Sequence, residues 1–183
     1  MRIIGHHTCS SKGNISDIEI QGPFFSEHDE EDSNAHKFLG SGYYFWDNNI
    51  GMAHSHGQNN YKRKYYIFEA DLNLVEEALL DLAGNRIDML HFQEIMKKLN
   101  EIDPNTESWT LAHFIEFLKS KNIFSYKAIR AIDTSITPRN LLKFVPERKN
   151  YINLSPIFIV CLLDNTKDII LSFNHIRTFP PNE

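Results

Sequence analysis

Seven consecutive apolar residues, Ile157-Phe158-Ile159-Val160-Cys161-Leu162-Leu163, form the segment that most constrains the fold of this chain. A β-branched run of this length without a polar face predicts a strand buried on both sides, so other elements must cover both of its faces. A core of that kind suits 183 residues, a length for one domain and too short for two plus a linker. Gly numbers 8 and Pro 7, and 42% of residues are hydrophobic, which excludes disordered and low-complexity classes.

Other strands are expected around that segment. Arg2 to Thr8 starts aliphatic and turns polar, as a strand does when its end opens into a site. Tyr65 to Leu72 alternates, Ala128 to Ile132 and Leu141 to Val145 are short apolar runs parted by Pro138, and Ile169 to Phe173 leads into His175-Ile176-Arg177. Between these groups lies a helical stretch of about residues 85–121. Phe92, Ile95, Met96 and Leu99 share one face after a possible Asp88 cap, and Leu111, Phe114, Ile115 and Leu118 share the next, with Pro104 between. Residues 9–37 read as loop, with a solvated acidic run over 27–32. The sum is an α+β domain covering 1–183, with strands at both ends of the chain and a helical insertion.

Charge and targeting signals are mostly exclusions. With 19 basic and 24 acidic residues the net charge is -5, which disfavours extensive gripping of a nucleic-acid backbone and leaves only a local patch, such as Lys62-Arg63-Lys64, for a phosphate or nucleic-acid target. The N-terminus lacks the apolar core of a signal peptide, and no run approaches a membrane span. Two cysteines, Cys9 and Cys161, read as thiols of a cytoplasmic protein.

Two segments exceed the needs of packing. His6-His7-Thr8 closes the first strand, and Leu39-Gly40-Ser41-Gly42-Tyr43-Tyr44-Phe45-Trp46 sets four aromatics directly after a Gly-Ser-Gly turn. A short helix through Asn48 to His56 follows, capped by Asp47 and ended by Gly57. Glycines let a backbone approach a ligand, a tyrosine offers a flat face to a planar ring, and a neutral histidine can donate to or accept from a sugar hydroxyl. His54 and His56 also admit a zinc reading, completed by His6, His7 or Cys9.

The order of these two segments resembles the ADP-ribosyltransferase superfamily, in the branch with a His-Tyr-Glu triad that includes poly(ADP-ribose) polymerases and diphtheria toxin. The resemblance covers about a tenth of the chain. It implies a split, mostly antiparallel sheet binding NAD. It also implies that His6 holds the adenosine ribose, that His7 stands at a position whose backbone grips the carboxamide, and that Thr8 is the small hydroxyl residue. Gly40 and Gly42 match the loop glycines, Tyr44 matches the tyrosine stacked on nicotinamide, with Tyr43 beside it, and His54 or His56 is the nearest second aromatic. The family glutamate has no counterpart in Ser155-Pro156-Ile157-Phe158-Ile159, so Glu147 and Asp133 are the internal candidates to replace it. The resemblance therefore implies transfer of a single ADP-ribose to a protein or nucleic acid, in the manner of toxins of toxin-antitoxin or phage-defence modules with a neutralising antitoxin protein. A catalytically silent NAD or ADP-ribose binding module is the alternative.

Overall fold

Alternate residues of one strand feed two different cores. In the computed structural model, which describes residues 1–29, 37–61, 64–133, 141–146, 150–163 and 166–180, the apolar run forms strand β8 (Ile157–Leu162). Val160 and Leu162 join a cluster with Phe45, Phe68, Phe173 and Ile18. Ile159 and Cys161 join another with Phe92, Phe114, Ile115 and Leu118. The period of two puts successive side chains on opposite faces, and helices close both.

The remaining strands are β1 (Arg2–Ser10), β2 (Tyr43–Asp47), β3 (Tyr65–Asn73), β4 (Leu79–Asp81), β5 (Ala128–Asp133), β6 (Leu141–Lys143), β7 (Tyr151–Asn153) and β9 (Ile170–Phe179). Helices are α1 (Ile15–Gln21), α2 (Ile50–Asn60), α3 (Arg86–Ile102) and α4 (Leu111–Ser120). Seven strands make one sheet in the order β4-β5-β8-β2-β1-β3-β9, and β6 with β7 forms a separate hairpin. Among the described residues, only β4 with β5 is parallel. This is a mixed α and β architecture with the expected helical insertion between β4 and β5, and no helix among the described residues is long and apolar enough to cross a membrane.

Several boundaries differ from the sequence reading for local reasons. Residues 9–37 contain α1, where the Asn14 side chain accepts from the Ser16 N–H and Ile18 is buried. Helix α2 is capped by Asn49, whose side chain accepts from the Met52 N–H, and it runs through Gly57, which lies against the Tyr65 ring. Asp47 instead binds Arg130. Asn85, not Asp88, caps α3, while the Asp88 carboxylate accepts from the Asp81 N–H. Strand β9 extends to Phe179 because β3 pairs with it as far as Tyr65. Glu147, Pro138, Lys62, Arg63 and residues 30–32 of the acidic run lie outside the described residues.

The pairing between β1 and β2 is short. Their register holds at Gly5↔Asp47 and His6↔Trp46, while β1 stays paired with β3 through to Ser10↔Tyr65. Continued by two residues, the β1–β2 register would set Thr8 opposite Tyr44. At that point the Tyr44 carbonyl instead meets the His7 ring, with Nδ1 2.9 Å away. The two strands part there.

Candidate functional site

A cleft of about 670 Å³ opens where β1 and β2 diverge. From β1 and the residues after it come His7, Thr8, Cys9, Ser10 and Lys12; from β2 come Tyr44, Phe45 and Trp46. Helix α2 and its C-terminus add His56, Asn60 and Tyr61, the loop before β2 adds Phe24, Ser26, Lys37 and Phe38, and Asp133 and Ile159 complete the wall from β5 and β8. Volume and an aromatic lining with a few polar groups suit a small organic ligand.

The Gly-Ser-Gly loop at this cleft is held from every side. The Tyr44 hydroxyl donates to the Gly40 carbonyl at 2.6 Å and accepts from the Leu39 N–H at 2.9 Å. Glu116 on α4 accepts from the Ser41 N–H at 2.7 Å, and the Ser41 hydroxyl accepts from the His28 N–H at 3.0 Å. Gly40 has φ +81° with the Glu116 carboxylate against it, and a side chain on Gly42 would meet Cys161 Sγ and the Leu162 carbonyl. Glycine is required at both positions, by conformation and carboxylate contact at one and by close approach at the other. These contacts pre-organise the loop, and burial raises the Tyr44 phenol well above its ordinary range, so the hydroxyl stays protonated.

The two strand histidines diverge, as neighbours on a strand must. His6 and Glu69 are partners across β1 and β3, with His6 Nε2 3.6 Å from the half-exposed Glu69 carboxylate. Burial lowers the His6 imidazole, against the raising effects of Glu69 and the Trp46 backbone, and its Nδ1 has no hydrogen-bond partner. His6 is not among the cleft-lining residues; His7 is. The His7 ring lies 5.8 Å from Phe45 and 5.9 Å from Phe173, and burial pushes its pKa down to about 4, opposed by the bond to Tyr44 and reinforced by His56. The Thr8 hydroxyl donates to the Ala53 carbonyl at 2.7 Å, docking α2 on β1. Tyr43 meets Phe25 edge to ring outside the cleft lining. His54 faces away: its Nδ1 is 2.5 Å from the Tyr65 hydroxyl and its ring packs on Phe179 at 4.5 Å. The aromatic that α2 brings to the cleft is His56, 6.2 Å from Trp46 between centroids.

The zinc reading finds no support. Among the described residues no three His, Cys, Asp or Glu side chains gather as metal ligands. Cys9 and Cys161 are buried without a disulfide between them, and burial pushes the Cys9 thiol up to about 11, which disfavours a thiolate.

One residue the sequence could only name as a candidate takes a defined position. Asp133, the last residue of β5, pairs with Ile157, the first of β8, and lines the cleft. Arg130, three residues earlier, carries no functional signal in the sequence. Its Nε donates to Asp47 Oδ2 at 2.8 Å, its Nη1 reaches Asp81 Oδ1 at 3.4 Å, and its guanidinium lies over Phe158 at 4.3 Å. The network ties the ends of β2 and β4 to β5. No family model, curated protein or solved structure matches the chain.

The buried neutral His7 makes folding acid-sensitive. An unfolded imidazole titrates near 6.5 and the folded one near 4. Between these values the unfolded chain binds the extra proton, so stability is complete above about pH 6.5 and falls as pH drops toward 4, by about 3 kcal/mol at most. His6 and His56 shift in the same direction. Denaturant melts at pH 7 and pH 4.5 are expected to show this loss and His7→Asn to reduce it; an unchanged slope in the variant would assign the loss elsewhere.

Proposed function

We propose that the cleft binds NAD and that the protein transfers one ADP-ribose to a macromolecular acceptor, protein or nucleic acid, with release of nicotinamide. The observation that carries this reading is the meeting of two resembling segments, His7-Thr8 of β1 and Tyr44-Phe45 of β2, at one cleft although more than thirty residues separate them. The abrupt end of the β1–β2 pairing supports it as well, since the resemblance implies a split sheet. In this reading Tyr44 and Trp46 supply ring faces, and Lys12 and Lys37 supply positive charge for the pyrophosphate.

Asp133 is the residue assigned to the role of the missing glutamate. Its carboxylate would accept from the 2′-hydroxyl of the nicotinamide ribose and stabilise the positive charge that grows on the sugar. The bond between C1′ and the pyridinium nitrogen breaks, and its electron pair leaves with neutral nicotinamide. The acceptor nucleophile then bonds to C1′ and gives up its proton. A single ADP-ribose unit is transferred. A toxin-type role with an antitoxin partner follows from the resemblance alone.

The test incubates the protein with adenine-labelled NAD and cell lysate while free nicotinamide is measured. Wild type is expected to label macromolecules and release nicotinamide, and Tyr44→Ala to do neither. Equal labelling by both would sink the reading. A silent binding module is the second reading, favoured by the aliphatic Ile157 at the start of β8. It predicts that NAD or ADP-ribose binds in calorimetry while no nicotinamide appears.

A further inference from the structure

The chain between β5 and β8 builds a hairpin with an apolar face turned to solvent. Leu142 of β6 and Ile152 of β7 are direct cross-strand partners, so their side chains leave the ribbon on one face. Phe144 and Leu154, each two residues further along, continue that face, and the Phe144 N–H extends the ladder by donating to the Asn150 carbonyl at 3.2 Å. The opposite face carries Leu141 against Asn153 and Lys143 against Tyr151. Leu142, Phe144, Ile152 and Leu154 are 59%, 68%, 43% and 59% exposed.

Such a face calls for a cover. Among the described residues β6 and β7 pair only with each other, and none of the four apolar residues belongs to a core cluster of the domain. A lone two-stranded hairpin is marginal in water, and a second layer over its hydrophobic face is what stabilises it. At ~200 Å² for each large side chain, the four present roughly 450 Å² of apolar surface. A patch of that size ranks with the largest on an ordinary monomer, which commonly serves as a contact surface. Two such faces packed together bury roughly 900 Å² before any flanking residue is counted, close to the ~1,000 Å² of specific interfaces and within the weak, reversible class.

The chemistry of the face selects its occupant. Its side chains bear no charge and no hydrogen-bonding group, so it offers nothing to a phosphate backbone, and the cation of the described hairpin, Lys143, is on the other face. A two-stranded apolar ribbon is complementary to itself: a two-fold axis through the Leu142–Ile152 pair sets the apolar side chains of one copy against those of the other and leaves the polar faces outward. An uncharged face is also where two chains of net charge -5 can meet without opposing like charges.

We propose that this hairpin is a dimerisation surface: two copies of the chain pack Leu142, Phe144, Ile152 and Leu154 face to face about a two-fold axis, in a reversible dimer of micromolar affinity. Nothing in this depends on the NAD reading. Chain connectivity nevertheless brings the contact near the cleft. Leu154 is three residues from Ile157, a reach of at most ~11 Å, and Ile157 pairs with the cleft residue Asp133. The partner copy stands near the strand ends that border each cleft.

The test follows weight-average mass by sedimentation equilibrium from about 1 to about 300 µM, a range that spans micromolar association. Wild type is expected to pass from one copy to two and to level there. Leu142→Glu and Phe144→Glu are each expected to weaken association at least ~10-fold, whereas Leu141→Glu, on the opposite face, is expected to leave it within about twofold. None of these residues is in the domain core, so all three variants are expected to keep the wild-type melting temperature at the dilute end, which separates loss of contact from loss of fold. A chain that stays monomeric throughout, association that neither Leu142→Glu nor Phe144→Glu weakens, or an equal loss in Leu141→Glu would overturn the proposal. Mass that climbs past two copies would do so too, by assigning the contact to the open strand edges. A monomeric wild type whose Phe144→Glu variant loses labelling of lysate protein but keeps nicotinamide release would give the face to an acceptor protein and reject the dimer.

Discussion

Arg130→Met is expected to lower the unfolding free energy by about 3–5 kcal/mol, the usual consequence of stranding buried carboxylates without their cation. The side chains of Arg130, Asp47 and Asp81 are 14%, 9% and 15% exposed, so water cannot replace the guanidinium. Asp81 retains bonds from the Ala83 and Gly84 N–H groups at 2.9 Å, whereas Asp47 loses its arginine contact. For a chain of this size the loss corresponds to a melting-temperature drop of roughly 10 °C. Asp47→Asn and Asp81→Asn added to Arg130→Met are expected to restore part of it, because no uncompensated charge then remains buried. A drop of only a degree or two in Arg130→Met would show that the network contributes no more than a surface pair.

Asp133→Asn is expected to slow nicotinamide release from NAD by about 10²-fold, in the range lost when one group that stabilises a developing charge is removed. Affinity for NAD is expected to stay within about threefold, since the carboxylate acts mainly on charge that appears in the transition state. The pairing of Asp133 with Ile157 supplies a rescue: Ile157→Glu in the Asp133→Asn background returns a carboxylate to the neighbouring strand. Recovery of a tenth or more of the wild-type rate would support a shared role for the two positions. Unchanged release in Asp133→Asn would remove Asp133 from the reaction and leave the acceptor to provide the charge. Steady-state nicotinamide release at saturating NAD, beside calorimetric NAD binding, separates these outcomes.

Elements with strong periodicity or long apolar runs are legible in the sequence itself. Strands β3 and β8 and helices α3 and α4 fall within a few residues of the sequence reading, because their burial pattern is written in consecutive side chains. Short elements are not. Helix α1 has seven residues with Ile18 as its buried member, and β4 and β7 have three residues each. Such pieces are too short to show a period and exist only because a partner strand or core cluster holds them. The caps differ from the sequence reading for a related reason: Asp47 and Asp88 have the chemistry of caps, but donors outside their helices claim them.

The site is legible in the sequence as two segments and illegible as an arrangement. Both segments border the cleft, yet their residues divide within it. Tyr44 and His7 line it, Thr8 spends its hydroxyl on α2, and His6 and His54 turn toward Glu69 and Tyr65. His56, rather than His54, reaches the cleft because of its position on the turn of α2.

Sequence alone determined that this chain builds a mixed α and β architecture around a doubly covered strand, with a glycine-flanked aromatic turn and a histidine-bearing strand end in its first third. Those properties reside in adjacent side chains, and local sterics and burial act on them directly. Only the tertiary structure decided where β1 leaves β2, which histidine the cleft receives, that the His7 ring meets the Tyr44 carbonyl, and that Asp133 stands beside Ile157. These depend on strand register and on partners tens of residues away, and a shift of one residue in register reverses the face of every side chain it carries.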